Sequence, residues 1–396
     1  MRILVVCFAD STHSQSWIDL IKDDEFDVRV YANSVSNGEM YPPIPWQETT
    51  YVLCEPNEKR GNAKIISLLP NKRVVKSIYY RLNSYFSLNQ KYFRRVVLKW
   101  KPDIVHSLSL NPAGVFAWQG LKQIKKDYPL FVTSSWGSDI YLGKDDATDK
   151  PKLQEVLTNC DGFISDCERD IENALSLGLA KENLAFNFAI PVTGGINPDE
   201  IGHGLPIKER RVILIPKAYE GIANKTLPIL EALHLIEDKL QEYEVHLLMC
   251  SSEVERYLSR MSEKVKRICY SHSHISKKEV SELMKQSRVM VAPSLSDGTP
   301  SSLLEAMSMG ALPIVSPIQS IREWVKDGEN GLFTHALYPN QIAETLLRAL
   351  TDDGLCYRAA ETNSKIIKAR SNRKIIRSQV LQYYKGLIAR KLQATK

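Results

Sequence analysis

The run "RVMVAPSLSDGTPSSLLEAMSMGALPIVS", residues 288–316, holds three kinds of text in 29 positions. An apolar segment with strand character stops at Pro293. A turn built on Asp297, Gly298 and Pro300 follows. A short apolar helix then runs to Gly310, and a second buried strand begins at Leu312. Strand, turn, helix and strand in this order make a βα unit of a parallel sheet. Asp297 and Glu305 stand eight positions apart across the turn.

The same alternation extends in both directions. "RILVVCF" (2–8), "FDVRVYA" (26–32), "DIVHSL" (103–108), "LFVTSS" (130–135) and "GFISD" (162–166) read as buried strands separated by helical text. A second series comprises 211–217, 244–250, 288–293, 312–316 and 331–334, with helices over 225–238 and 276–287. Such text predicts α/β architecture, in two doubly wound halves of similar size. A length of 396 residues fits two domains better than one core. The Gly- and Pro-rich stretch 189–210 is the expected join. The expected domains are 1–195 and 205–370, with a basic amphipathic helix at about 373–396 belonging to the first.

Composition is that of a water-soluble globular chain, 43% hydrophobic and 25% charged. Seven cysteines are scattered without a C-x-x-C pair, which fits reduced thiols and a cytoplasmic location. The N-terminus reads as a strand, not a signal peptide, and no apolar run approaches a membrane span. His272 and His274 are close enough in sequence to chelate, but no metal motif accompanies them. No G-x-G-x-x-G follows the first strand. The net charge of +6 is unevenly spread. Residues 59–101 carry 12 Lys/Arg and no acid, and residues 362–396 carry 10 and no acid. The first of these segments mixes Lys76, Arg81, Arg94 and Arg95 with Tyr79, Tyr80, Phe86 and Phe93. An anionic bilayer surface could accept such a helix, with cations outward and rings at the headgroups. The plain alternative buries the rings and leaves the cations solvated. Nucleic acid is the poorest reading, because no motif supports it.

The chemistry of 297–305 admits two readings. A helix N-terminus offers unpaired N–H groups and the positive end of the dipole, a natural phosphate cradle. Gly298, Thr299 and Pro300 form the turn, and Ser301, Ser302 and Leu303 would aim their amides at the phosphates. Glu305 could hold a ribose diol, and Asp297 sugar hydroxyls. The structural alternative makes Ser302 and Glu305 a capping box, with Gly310 as the matching stop.

Together with "IREWVKDGENGLF" (321–333), this stretch resembles the donor signature of retaining, GT-B-fold glycosyltransferases, the large family that includes sucrose synthase and bacterial mannosyltransferases. That signature is an acid, seven residues, then Glu. Here Asp297 fills a place where Glu is commoner. The resemblance implies two Rossmann-like domains facing a cleft, with the C-terminal helix crossing back. It implies a nucleoside-diphosphate sugar as co-substrate, of the UDP or GDP class, and no metal or other cofactor. Lys217 and Lys225 would replace the usual Arg/Lys pair on the diphosphate, Lys217 giving a point charge in place of a fork. Asp139, in "FVTSSWGSDIYL", would face donor or acceptor. Asp10, His13 and His106 are the acceptor-side candidates, with Asp10 or His13 as a possible base. The expected activity is metal-independent, retaining transfer to a glycan or lipid-linked acceptor in capsule, O-antigen or lipopolysaccharide synthesis, at the inner membrane face. A sugar-nucleotide epimerase or a non-catalytic carbohydrate-binding protein on the same fold are the alternatives.

Overall fold

The computed structural model describes residues 1–8, 11–32, 46–55, 63–70, 72, 74, 75, 78, 87–125 and 129–394. The chain divides into two compact units, Met1–Gly194 with Ile375–Lys396, and Gly195–Lys374.

The first unit holds a seven-stranded sheet among the described residues. Its strands are β1 (Arg2–Cys7), β2 (Asp27–Ala32), β3 (Thr50–Cys54), β4 (Ile65–Leu69), β5 (Ile104–Ser107), β6 (Leu130–Ser134) and β7 (Gly162–Ile164). They lie in the order β4-β3-β2-β1-β5-β6-β7, each pair parallel. Strands such as Ile3–Cys7 are buried on both faces, which is why they read as unbroken apolar text. β3 and β4 were not legible as strands. They sit at one end of the sheet, and β4 is only partly buried.

The second unit holds a six-stranded parallel sheet. β8 (Val212–Ile215), β9 (Glu244–Leu248), β10 (Cys269–His272), β11 (Ser287–Ala292), β12 (Leu312–Val315) and β13 (Leu332–Phe333) lie in the order β10-β9-β8-β11-β12-β13. β10 escaped the sequence reading because "CYSH" is an edge strand with solvent-facing polar residues. Its strand order reverses between β8 and β11. In open parallel sheets, ligands bind beyond the carboxyl ends of strands at such a switch point.

Two basic segments acquire definite surroundings. The helix Leu88–Trp100 buries Tyr92, Phe93, Val96, Val97 and Trp100 and exposes Lys91, Arg95, Leu98 and Lys99. Phe93 is fully buried, so it is a core ring and not a headgroup contact, contrary to the membrane-lying arrangement set out above. Tyr79, Tyr80, Phe86, Lys76 and Arg81 lie outside the described residues. The helix Arg373–Ala394 packs Ile376, Val380, Leu381, Tyr384 and Leu387 into the core of the first unit. Its cations Arg377 and Lys385 pair with Asp23 and Glu25 at 3.0 and 2.7 Å. No helix among the described residues is long and apolar enough to cross a membrane.

Candidate functional site

The switch point of the second sheet gathers most of the donor-side candidates. Lys217 follows β8, and the turn 294–300 follows β11. The two loops are laced together: Asn224 and Ser294 form an antiparallel bridge, and the Leu295 amide donates to the Ala223 carbonyl at 2.9 Å. This lacing brings Lys217 Nζ to within 2.5 Å of the Asp297 carboxylate. A small recess opens there, lined by Lys217, Asn224, Lys225, Asp297, Pro300 and Ser302 among others.

Lys225 reaches the Gly221 carbonyl at 2.6 Å and lies 3.8 Å from Glu220. Glu220 accepts the amides of Thr226 and Leu227 at 2.5 and 2.8 Å. It therefore caps the helix Leu227–Leu235, and its charge satisfies that helix end. Both lysine side chains keep about a quarter of their surface exposed, 27% and 26%. They can still turn toward an anion.

The helix Ser301–Ser308 begins differently. Its N-cap is Pro300, which has no hydroxyl, and no side chain caps it. Ser302 is therefore the second helical residue, and Glu305 the fifth. The capping box between them does not form, because that motif needs its Ser at the cap and its Glu three positions on. The Gly310 stop does form: φ is +77°, Gly310 donates to Met307 at 3.2 Å, and Ala311 donates to Ala306 at 3.0 Å. That is a Schellman arrangement, and only the flexible glycine tolerates it cheaply.

The missing cap leaves unused hydrogen-bonding capacity. The hydroxyls of Ser296, Ser301 and Ser302 are buried and have no protein partner. Each buried, unsatisfied group costs about 1–3 kcal/mol. Beside them, the amides of Ser301 and Ser302 have no intrahelical acceptor, whereas the Leu303 amide, expected to face a phosphate, donates to the Pro300 carbonyl at 3.1 Å. Of the three serines, Ser302 lines the recess together with Lys217 and Lys225.

Glu305 stands a turn further along the same helix, partly exposed, with no hydrogen-bond partner among the described residues. Burial pushes its carboxyl up to about 7, Lys277 works against that rise, and Glu200 adds to it. A carboxylate in this state has free acceptor capacity for a diol.

The first-unit candidates are not assembled in this way. Asp139 accepts the amides of Leu110, Trp136 and Ile140 at 2.7, 2.9 and 3.0 Å. Burial raises its carboxyl to about 6, against the pull of these amides. Its geometry is that of a clasp between two strand-end loops. His106 is fully buried, with Nδ1 2.7 Å from the Tyr384 hydroxyl and Nε2 2.8 Å from Ser134 Oγ. Burial lowers it to about 3, so it is neutral. The expectation of an acceptor contact at His106 is corrected: it is a core residue joining the C-terminal helix to the sheet. His13 lies on the helix Thr12–Ile21 and packs edge-on against Trp136, with ring centroids 5.8 Å apart. Asp10 lies outside the described residues. His272 pairs with His246 at 3.0 Å on neighbouring strands. Asp166, Cys167 and Asp170 place ligand atoms within 4.8 Å of one another, but Arg169 already binds Asp170 through two nitrogens at 2.8 and 2.9 Å.

Residues behind the turn escaped the sequence reading. Ser316, Ser320 and Trp324 reach it through hydrogen bonds spanning 22, 23 and 25 positions. No local periodicity signals contacts at that range.

Two parallel-sheet, Rossmann-like α/β units are the architecture of the GT-B class. Comparisons agree. A family model described as "Glycosyl transferase 4-like" matches residues 2–166, and one described as "Glycosyl transferases group 1" matches 210–352. The chain belongs to this group of glycosyltransferases. An uncharacterised glycosyltransferase of Methanocaldococcus jannaschii is 23% identical over 334 residues, covering 82% of this chain and 85% of that one. Anabaena HepE, solved with UDP-glucose, superposes with a TM-score of 0.67 at 12% identity, covering 100% of both chains. The lipopolysaccharide outer core galactosyltransferase WaaB superposes with a TM-score of 0.61 at 16% identity, covering 99% of this chain and 100% of that one.

Proposed function

We propose that the protein moves a sugar, with retention of configuration, from a nucleoside-diphosphate sugar of the UDP class to a glycan or lipid-linked acceptor of a surface polysaccharide. The observation that carries the donor half is the uncapped start of the Ser301–Ser308 helix, where buried hydroxyls without partners stand beside Lys217 and Lys225. The diphosphate takes these groups, Glu305 takes the ribose diol, and Asp297 turns to the transferred sugar. Departure of the diphosphate builds negative charge on its oxygens. The lysines, turned from Asp297 and the Gly221 carbonyl toward that charge, stabilise the transition state together with the helix amides, without a metal. The leaving phosphate then accepts the proton of the acceptor hydroxyl as it attacks from the same face.

HepE binds UDP-glucose and WaaB acts on lipopolysaccharide outer core, which supports the UDP donor and the surface-glycan acceptor. The exposed cations Lys91, Arg95 and Lys99 support work at an anionic lipid surface on the cytoplasmic side. The test is a panel of nucleotide sugars with lipid-linked acceptors, following diphosphate release and product anomer by NMR. Retained product with one donor supports the proposal. Inverted product, or an epimerised donor without transfer, overturns it. Charge reversal at Lys91, Arg95 and Lys99 is expected to abolish sedimentation with anionic vesicles, and unchanged sedimentation would remove the lipid surface from the proposal.

A further inference from the structure

The donor turn is held from behind by a buried polar frame that does not line the recess. Ser316 Oγ accepts the Ser294 amide at 3.0 Å, and Ser320 Oγ donates to the Asp297 carbonyl at 2.8 Å. The Trp324 indole N–H donates to Thr299 Oγ1 at 3.1 Å. Thr299 and Trp324 are each 3% exposed. Trp324 is fixed in turn. The Arg370 guanidinium lies 4.2 Å over its ring, and Asn330 Nδ2 donates to its carbonyl at 2.9 Å. Asn330 is locked by Asn363 through bonds of 2.8 and 3.0 Å, and it accepts the Lys326 amide at 2.7 Å.

A frame of this kind is costly unless every member is satisfied, and an apolar residue at 324 would fill the space without it. What the indole adds is direction. Its N–H bonds Thr299, and Thr299 lies between Asp297, which meets Lys217, and Pro300, which opens the helix. Loss of that bond removes the tie nearest the helix start and loosens the turn, which Ser316 and Ser320 still hold at Ser294 and Asp297.

We propose that Trp324 is a positioning residue for the donor site: its indole N–H, acting through Thr299, sets the 297–300 turn so that Asp297 and the helix amides face the recess. Asn330 and Asn363 keep Trp324 in place. This rests on the donor-site reading above, yet the positioning itself is measurable without any donor.

The test uses the full chain in four forms: wild type, Trp324→Phe, Thr299→Val and Thr299→Ser. Hydrogen exchange over 294–303 is measured first, with no ligand. Exchange is expected to rise about tenfold in Trp324→Phe and Thr299→Val, the size of one lost hydrogen bond, and to stay unchanged in Thr299→Ser. UDP titration should follow the same order, with a Kd about tenfold weaker in the first two. The double variant Trp324→Phe/Thr299→Val should lose less than the sum of the two single changes, because both remove the same bond. Unchanged exchange in both single variants, or fully additive effects, would overturn the proposal. If Trp324→Phe does not fold, the Val and Ser pair at 299 decides alone. If wild type binds no nucleoside diphosphate while exchange behaves as expected, the donor assignment falls and the positioning role stands.

Discussion

His106 and Asp139 in the first unit and the 296–305 segment in the second handle buried polar groups in opposite ways. In the first unit, His106 has a partner at each ring nitrogen, and Asp139 takes three backbone amides. In the second, Ser296, Ser301 and Ser302 bury hydroxyls without partners, and Glu305 has no hydrogen-bond partner among the described residues, with Lys277 as a neighbouring charge. Saturated groups stabilise the fold, and open ones cost stability until something else completes them. Ser14, Thr334 and Ser371 also bury hydroxyls without partners, so an open group points to a site only where charges such as Lys217 and Lys225 stand beside it. Both regions carry carboxylates raised by burial, Asp139 to about 6 and Glu305 to about 7. A shifted pKa alone would have ranked them together.

Substitution at the two sites should break this symmetry. The largest effect is expected at the lysines. Lys225→Ala and Lys217→Ala should each lower kcat/KM for diphosphate release by about 10²–10³, the range for removing one oriented donor from a developing charge. Steady-state kinetics with a fixed acceptor checks this, and a change below threefold at both positions would remove the lysines from the chemistry.

Glu305 comes next. Glu305→Gln keeps the shape but cannot accept two hydrogen bonds at full charge, and donor affinity should fall about tenfold, as for one charge-assisted bond. The pH behaviour gives an independent reading. A carboxyl raised from 4.5 to about 7 keeps its proton in the folded chain where the unfolded chain has released it. Stability of the ligand-free protein should therefore fall as pH rises from about 4.5 to about 7, and this contribution should level off above that. A ribose diol favours the ionised form, so binding of a UDP-sugar, whose doubly esterified diphosphate does not titrate in this range, should release a proton near pH 6.5. Calorimetry in buffers of different ionisation heat should detect that release, find none at pH 8.5, and find none in Glu305→Gln.

The smallest effect on activity is expected in the first unit. His106→Phe should leave kcat/KM of the folded enzyme within about twofold while lowering unfolding free energy by about 1–3 kcal/mol, since Tyr384 and Ser134 lose a buried partner. Urea denaturation alongside the kinetic assay separates the two. A large activity loss at full stability would return His106 to the acceptor candidates.

The architecture was legible because parallel strands covered on both faces leave long apolar runs, as in Ile3–Cys7 and Val289–Val291. Edge strands such as Cys269–His272 lack that signal. At the candidate site, the spacing of Asp297 and Glu305 and the lysines after β8 stood out in the sequence. The capping box did not survive, because a proline one residue earlier takes the cap position and moves Ser302 inside the helix. His106 misled for a related reason. A histidine at a strand end reads as a wall of a binding site, and only Tyr384, 278 positions away, shows that it is core. Trp324, Asn330 and Asn363 act through contacts that no local pattern encodes.

Titration of UDP into the full chain tests the central claim most directly, comparing wild type, the Lys217→Ala/Lys225→Ala double variant and His106→Phe. Saturable binding by wild type and His106→Phe, weakened at least about 100-fold in the double variant, is the predicted result. Equal affinity in all three would place the diphosphate elsewhere and contradict the account.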